Sequence, residues 1–207
     1  MRPILLVRND AVDTLGLAPE ALIEAGAPTV IWEARDSRTP APHIDDIGGI
    51  VMFGGTMNVD DVDSHPFLKE ARDLTREALD REVPYLGLCL GAQMLARALD
   101  RAVFRAPVRE IGYEPLHPTR AAAGDPLIAH YEDGDMVFHW HQDTMELPAG
   151  AEVLATGDRV ALQGFRVGDT AWGLQFHLEL DSNELELWLD DASADEDISA
   201  VWGKSPA

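Results

Sequence analysis

Tyr85-Leu86-Gly87-Leu88-Cys89-Leu90-Gly91-Ala92-Gln93 decides the reading of this chain. A short apolar run of strand character passes through a cysteine into a helical pattern that reaches Leu99, with a glycine two positions to either side of the sulfur. A Gly-x-nucleophile-x-Gly stretch between a strand and a helix describes a nucleophile elbow. The turn is so tight that its central residue takes a strained backbone conformation, and side chains at the flanking positions would collide with their neighbours. Such a turn exposes the sulfur at a helix N-terminus, where the dipole favours thiolate over thiol. The competing reading, a free cysteine acting as a small core hydrophobe, does not call for both glycines.

Upstream of the elbow, short apolar runs alternate with helical patterns, the usual sign of βαβ units on a parallel sheet. Ile4–Val7, Thr29–Trp32, Gly49–Phe53 and Tyr85–Leu88 read as strands. Pro19–Ala25, Pro66–Glu82 and Leu90–Leu99 read as helices, the second carrying Phe67, Ala71, Leu74, Ala78 and Leu79 at helical spacing. Downstream the pattern changes. Arg109–Leu116, Met136–His141, Glu152–Ala155, Ala161–Val167 and Ala171–Phe176 are strand-like pieces between turn residues, with Val167-Gly168-Asp169 as a hairpin connection. Helix resumes at Asp181, with Leu185, Trp188 and Leu189 on one side. The sequence therefore predicts one α/β domain over 1–207, with a mostly parallel central sheet flanked by helices and a smaller antiparallel portion. Residues 190–207 read as an acidic, solvated or frayed tail.

A cysteine nucleophile needs a base, and the base needs an orienter. Of the seven histidines, His177 closes the apolar run Trp172–Phe176 and has Glu179 two residues on. On an extended segment those two side chains project to the same face, so a carboxylate can hold one ring nitrogen while the other faces the sulfur. Acyl transfer also needs backbone N–H groups to hold an oxyanion. The amide of Leu90 follows the nucleophile, and Phe53-Gly54-Gly55-Thr56 supplies a bare glycine turn at the end of another strand.

Together these residues resemble the class I (triad-type) glutamine amidotransferases, particularly free-standing proteins similar to the glutaminase domain of GMP synthetase. The matching pieces occur in the family's order: Phe53-Gly54-Gly55, Gly87 to Gln93, Trp140-His141-Gln142-Asp143 with Leu147-Pro148, and Gly173-Leu174-Gln175-Phe176-His177-Leu178-Glu179. The resemblance implies a flavodoxin-like fold and hydrolysis of a glutamine side-chain amide, with no cofactor and no metal. It makes Cys89 the nucleophile, His177 the base and Glu179 its orienter, with Gly55 and Leu90 at the oxyanion. It gives the amino-acid end of the substrate to Gly54, Gln93, Trp140, His141 and Gln142, and it leaves room for a separate synthetase that accepts the ammonia. Leu178 stands where the family has proline, and Gln142 where it has glycine. The first removes no catalytic group, whereas the second bears on the pocket.

Three other readings stay open on the sequence. The same triad serves a γ-glutamyl peptide hydrolase, whose substrate carries the same amide with a larger leaving amine. His139, His141 and Asp143 alternate and would share one face of a straight strand, a set able to bind zinc in a metal-dependent hydrolase. A non-catalytic or partner-dependent subunit is the third.

Composition bounds all of these. The chain has 207 residues, 46% hydrophobic and 26% charged, ordinary for a globular protein and wrong for a disordered one. Its 16 Lys+Arg against 37 Asp+Glu leave a formal net charge of −21, which repels phosphate backbones and anionic lipid and so argues against nucleic-acid and membrane partners. Pro3–Val7 is too short an apolar run for a signal peptide or a span, and one cysteine permits no internal disulfide. A soluble cytoplasmic protein is the expectation.

Overall fold

The computed structural model describes residues 1–36, 38–190 and 194–203. In chain order the elements are β1 (Ile4–Arg8), α1 (Ala18–Glu24), β2 (Thr29–Glu33), β3 (Gly49–Met52), α2 (Phe67–Asp80), β4 (Tyr85–Leu88) and α3 (Leu90–Ala98). There follow β5 (Val103–Pro118), β6 (Asp135–Met145), β7 (Glu152–Gly157), β8 (Gly164–Val167), β9 (Ala171–Leu174), α4 (Ser182–Asp190) and α5 (Ala194–Trp202). The nine strands form one sheet in the order β2-β1-β3-β4-β9-β8-β7-β5-β6.

The β1, β3 and β4 runs are apolar without alternation because helices or loops cover both faces of the parallel half. Leu5, Leu6 and Val7 of β1 are wholly buried, as are Met52 of β3 and Leu88 of β4. On α2, Leu68, Ala71, Leu74, Thr75 and Ala78 are buried, the three-and-four spacing of one helix face. Eight of the nine residues of α3 are buried, because this helix lies between the sheet and α2.

The α/β architecture is the one expected, but the antiparallel part extends further than the sequence suggested. β1 pairs in parallel with β2 and β3, and β4 with β3 and β9, while every pairing among β5 to β9 is antiparallel. The main difference is β5, which begins at Val103 instead of Arg109 and pairs with nearly the whole of β6. Its register slips between Arg105 and Glu110. Pro107 lies inside the slip and has no N–H to give to the ladder, which hides the strand's first half from a reading based on alternation.

The tail also differs from expectation. Residues 194–202 form α5, with Asp197, Ile198 and Val201 half-buried on one side. Trp202 Nε1 donates to the Ile111 carbonyl at 3.2 Å, and Asp197 pairs with Arg109, so the segment is fastened to β5. Asp191–Ser193 and Lys204–Ala207, the remainder of that expectation, lie outside the described residues.

One consequence of the strand order positions the site. β9 runs beside β4 in register, Leu88 against Leu174. The residue after β4 is Cys89 and the residues after β9 run to His177 and Glu179. Sequence segments almost ninety residues apart therefore leave the sheet side by side, beyond the carboxyl ends of parallel strands, where α/β folds hold ligands.

Candidate active site

Cys89 occupies the turn between β4 and α3 with φ 49° and ψ −105°, a region that side chains other than glycine rarely enter. What surrounds it enforces the strain. A Cβ on Gly87 would lie 2.3 Å from the Gly91 carbonyl oxygen, and one on Gly91 would lie 2.1 Å from that of Met52. The Cys89 N–H donates to the Leu174 carbonyl at 2.8 Å, while the Ala92 and Gln93 N–H groups close on the Cys89 carbonyl to start the helix. Cys89 is 6% exposed, yet it lines a cavity of ≈370 Å³ together with Gly54, Gly55 and His177. The thiol is thus packed at its base and open at the cavity.

His177 reaches the same cavity from the other segment. Its N–H donates to the Phe138 carbonyl at 2.9 Å in an isolated antiparallel bridge, which ties the post-β9 chain to β6. Nδ1 lies 2.8 Å from Glu179 Oε1, and the ring packs edge-on against Trp188 of α4 with centroids 4.8 Å apart. Burial pulls the imidazole toward neutrality, but the Glu179 charge and hydrogen bonds to Cys89 and Glu179 outweigh it and raise its pKa well above the ordinary value. A neutral imidazole with a raised affinity for protons can take the proton of a neighbouring thiol, and the thiolate–imidazolium pair that results holds the sulfur in its nucleophilic form.

Glu179 is held from behind. Its carbonyl accepts the Leu17 N–H at 2.9 Å. Gly16, with φ 51°, comes so near that a Cβ there would lie 2.0 Å from the Glu179 carbonyl oxygen. The same loop is fastened to α4, because Glu184 accepts from the Thr14 N–H at 2.9 Å and the Thr14 hydroxyl at 2.8 Å.

Gly54 and Gly55 face the thiol. A Cβ on Gly54 would be 3.3 Å from His177 Cε1 and 3.8 Å from Cys89 Cβ, and one on Gly55 would be 2.9 Å from Leu90 Cδ2. The turn is fixed by two polar residues at the end of β1. Asn9 Nδ2 donates to the Phe53 carbonyl at 2.9 Å, and Asp10 accepts from the Thr56 hydroxyl at 2.7 Å. Burial pushes the Asp10 carboxyl up, but hydrogen bonds from Thr56 and the Arg35 charge more than offset it. Neither residue was singled out from sequence; their place at the C-terminal end of a central parallel strand was the available signal.

Gln93, Trp140, His141 and Gln142 also line the cavity. Gln93 Nε2 donates to the Asp143 carbonyl at 3.2 Å and to Gln175 Oε1 at 3.3 Å, and Gln175 Nε2 in turn approaches Cys89 Sγ at 3.6 Å. Gln175 is a further residue to which sequence alone gave no role in the site. His141 turns its ring into the interior: Nε2 is 2.9 Å from Glu110 Oε2, and Nδ1 is 3.1 Å from the Asp143 carbonyl.

The metal-ligand grouping expected from His139, His141 and Asp143 takes a different form. The Asp143 carboxylate leaves that face to accept from Asn58 Nδ2 at 2.7 Å. Glu110 of β5 replaces it, its ligand atom lying with those of His139 and His141 within 4.8 Å of one another. Glu110 already accepts from the Val160 N–H and from Gln163 Nε2 besides facing His141. Burial raises its carboxyl, but the bond and charge of His141, with His139 and Gln163, prevail and hold it below the ordinary range. Burial pushes His139 down to about 4. The group is a buried polar knot between β5 and β6 in which Glu110 is fully engaged, while His139 Nδ1 has no hydrogen-bond partner among the described residues.

A model of the class I glutamine amidotransferases matches residues 18–190. The chain belongs to that family. A glutamine amidotransferase-like protein of Salmonella typhimurium is 32% identical over 148 residues, 70% of this chain and 62% of that protein. One subunit of the glutamine-hydrolysing GMP synthase of Haloarcula marismortui is 31% identical over 185 residues, 86% of this chain and 89% of that subunit. The match to the GMP synthase of Porphyromonas gingivalis takes in 26% of that longer protein, so this amidotransferase chain spans only part of several of its relatives. Among solved structures, a glutamine amidotransferase of Thermotoga maritima superposes with a TM-score of 0.85 at 30% identity, covering 94% of this chain and 83% of the other. One from Methylobacillus flagellatus gives 0.86 at 28% identity over 95% and 77%. Class I amidotransferase membership agrees with the mixed nine-stranded sheet. Among the described residues no helix is long and apolar enough to cross a membrane.

Proposed function

We propose that the chain hydrolyses the side-chain amide of glutamine through a Cys89–His177–Glu179 triad. The observation that carries this reading is the strained, glycine-flanked Cys89 beside an imidazole whose far nitrogen is held 2.8 Å from a buried carboxylate. The Cys89 thiolate attacks the amide carbon, and the carbonyl electron pair moves onto oxygen. The N–H groups of Gly55 and Leu90 receive that oxyanion. As it collapses, the C–N bond breaks and the nitrogen takes a proton from His177, so ammonia leaves and a γ-glutamyl thioester remains. Water then attacks the thioester while His177 accepts its proton. A second oxyanion collapses, the C–S bond breaks, and glutamate departs with the thiolate and imidazolium restored. Glu179 fixes the ring's orientation and stabilises its charge. Gly54, Gln93, Trp140, His141 and Gln142 shape the part of the cavity that takes the amino-acid end, His141 through its bond to Glu110.

The nine strands in one sheet support reading 1–207 as one domain. The likeness to one subunit of a GMP synthase supports a separate synthetase that accepts the ammonia, and a lone catalytic thiol suits a reducing compartment such as the cytoplasm. The second reading, a γ-glutamyl hydrolase, draws on Gln142, whose side chain reaches the cavity wall where the family has glycine.

The test is intact-mass detection of a covalent adduct after exposure to a glutamine-analogue electrophile, with the modified residue mapped. One adduct on Cys89 is expected, and Cys89→Ala should lower glutamate release by roughly 10⁶, the scale of losing a triad nucleophile. Activity retained by Cys89→Ala, or an adduct elsewhere, overturns the mechanism.

A further inference from the structure

The catalytic cavity has an unfavourable charge for the carboxylate of its proposed substrate. Glutamine and γ-glutamyl compounds carry a free carboxylate, yet Asp10, Asp13, Asp61 and Asp143 all line the cavity. Among the described residues Arg109 is the one arginine or lysine on that wall. Its surroundings hold it there. Gln142 Oε1 accepts from both Arg105 and Arg109, bracing two like charges side by side. The Asp197 carboxylate, from α5, pairs with Arg109 and also accepts from Trp140 Nε1 at 3.1 Å. Arg109, Gln142 and Asp197 form a wall shared with a second cavity of ≈530 Å³ that Arg105 also lines.

We propose that Arg109, braced by Gln142, is a carboxylate-binding subsite of the catalytic cavity, and that Asp197 of α5 occupies it as an internal stand-in for the substrate's carboxylate. A planar guanidinium beside a side-chain amide is suited to grip a carboxylate by paired charge-assisted hydrogen bonds. Burial and the neighbouring Arg105 charge weaken the hold of Arg109 on its proton, so the guanidinium gains from an anion against it. In the ligand-free chain Asp197 supplies that anion. A substrate carboxylate must displace it, which makes α5 an internal competitor. Trp202, bonded to the Ile111 carbonyl, keeps the helix attached when Asp197 lets go. The shared wall leaves two sources for the carboxylate: the α-carboxylate of the glutamyl group, or one on a leaving amine that extends into the second cavity.

This inference rests on the glutamine reading, and a binding experiment separates the two. Cys89 is alkylated with iodoacetamide and followed by intact mass in the full chain, with each of four compounds as protectant: glutamine, its α-amide, γ-glutamylglycine and γ-glutamylmethylamide. The concentration giving half-protection is compared in wild type, Arg109→Met, Arg109→Lys and Asp197→Asn. Arg109→Met should raise that concentration for glutamine about tenfold or more, the usual scale for a lost charged hydrogen bond, and leave it within about twofold for the α-amide. Arg109→Lys should fall between, and Asp197→Asn should lower it for glutamine. If the leaving amine is the source, the penalty instead separates γ-glutamylglycine from γ-glutamylmethylamide. Equal changes for compounds with and without a carboxylate, or no change, overturn the subsite. Protection by none of the four overturns the glutamine reading itself, and this inference with it.

Discussion

His177 is 6% exposed and nonetheless carries a proton more readily than a free imidazole, because the Glu179 carboxylate and Cys89 both favour its charged form. The sign of the pH effect follows. A histidine whose folded pKa stands above its unfolded value contributes stability that is fully present below pH ~6.5 and is lost as pH rises through the folded value. Glu179→Gln keeps the shape and removes the charge, so burial regains the upper hand. NMR titration of the His177 ring should show a midpoint above 6.5 in wild type and a clearly lower one in Glu179→Gln. The alkaline fall in melting temperature should move down with it. Turnover should suffer in this variant less than in Cys89→Ala, roughly 10⁴ or less, since the orienter of a triad costs less than its nucleophile. An unmoved midpoint would mean that Glu179 does not govern the charge on the ring.

At the scale of the elements, the loop after β1 and helix α4 meet through carboxylates. Asp13 lines the cavity that holds Cys89 and accepts the Leu15 N–H at 2.7 Å. Burial, then the hydrogen bond and charge of Glu184, push its carboxyl up to about 8. An acid protonated in the fold and ionised in the unfolded chain makes stability fall as pH rises, here between about 4 and about 8, by at most ~1.4 kcal/mol per pH unit. Asp13→Asn cannot ionise. It should therefore match wild type near pH 4 and exceed it increasingly toward pH 8 in urea unfolding; a constant offset would show that Asp13 ionises normally in the fold. Little of this pairing was legible beforehand, since Asp13 and Glu184 are distant in sequence and only the fold brings them together. What was legible is local. The elbow shows because Gly87 and Gly91 are demanded by backbone carbonyls within 2.3 Å, and His177-x-Glu179 shows because two residues on one extended stretch share a face. The parallel strands show as unbroken apolar runs. The first half of β5 does not, because Pro107 and the slipped register remove its alternation. Nor does the docking of α5, because its acidic surface gives no sign of the contacts made by Asp197 and Trp202.

Across the whole molecule the positive charges are largely engaged at short range. Arg72 and Arg97 share Asp60, Arg81 reaches Asp45 and Glu77, and Arg166 reaches Asp125 and Glu152. The sequence has 16 Lys+Arg for 37 Asp+Glu, so even complete pairing leaves an excess of 21 negative charges to repel one another through solvent. Salt acts oppositely on the two sets. It weakens exposed ion pairs, each worth little, on the order of 0–1 kcal/mol. It also screens the long-range repulsion, whose reach shrinks from about 30 Å at 0.01 M to about 8 Å at 0.15 M. Contacts near 3 Å sit well inside either length, whereas charges spread over the surface do not, so the repulsive part loses more. Self-repulsion of this kind disfavours the compact state. The melting temperature should therefore rise from about 0.01 M to about 0.15 M sodium chloride. The second half of the chain should contribute most, because from Val167 onward Lys204 is the only lysine or arginine in the sequence. Replacing Glu186 and Asp190 of α4 by Gln and Asn lowers the excess without touching the cavity lining. That double variant should melt higher at low salt and show a smaller salt response. A flat melting temperature across the range would mean that the acidic surface is dispersed enough to cost the fold nothing.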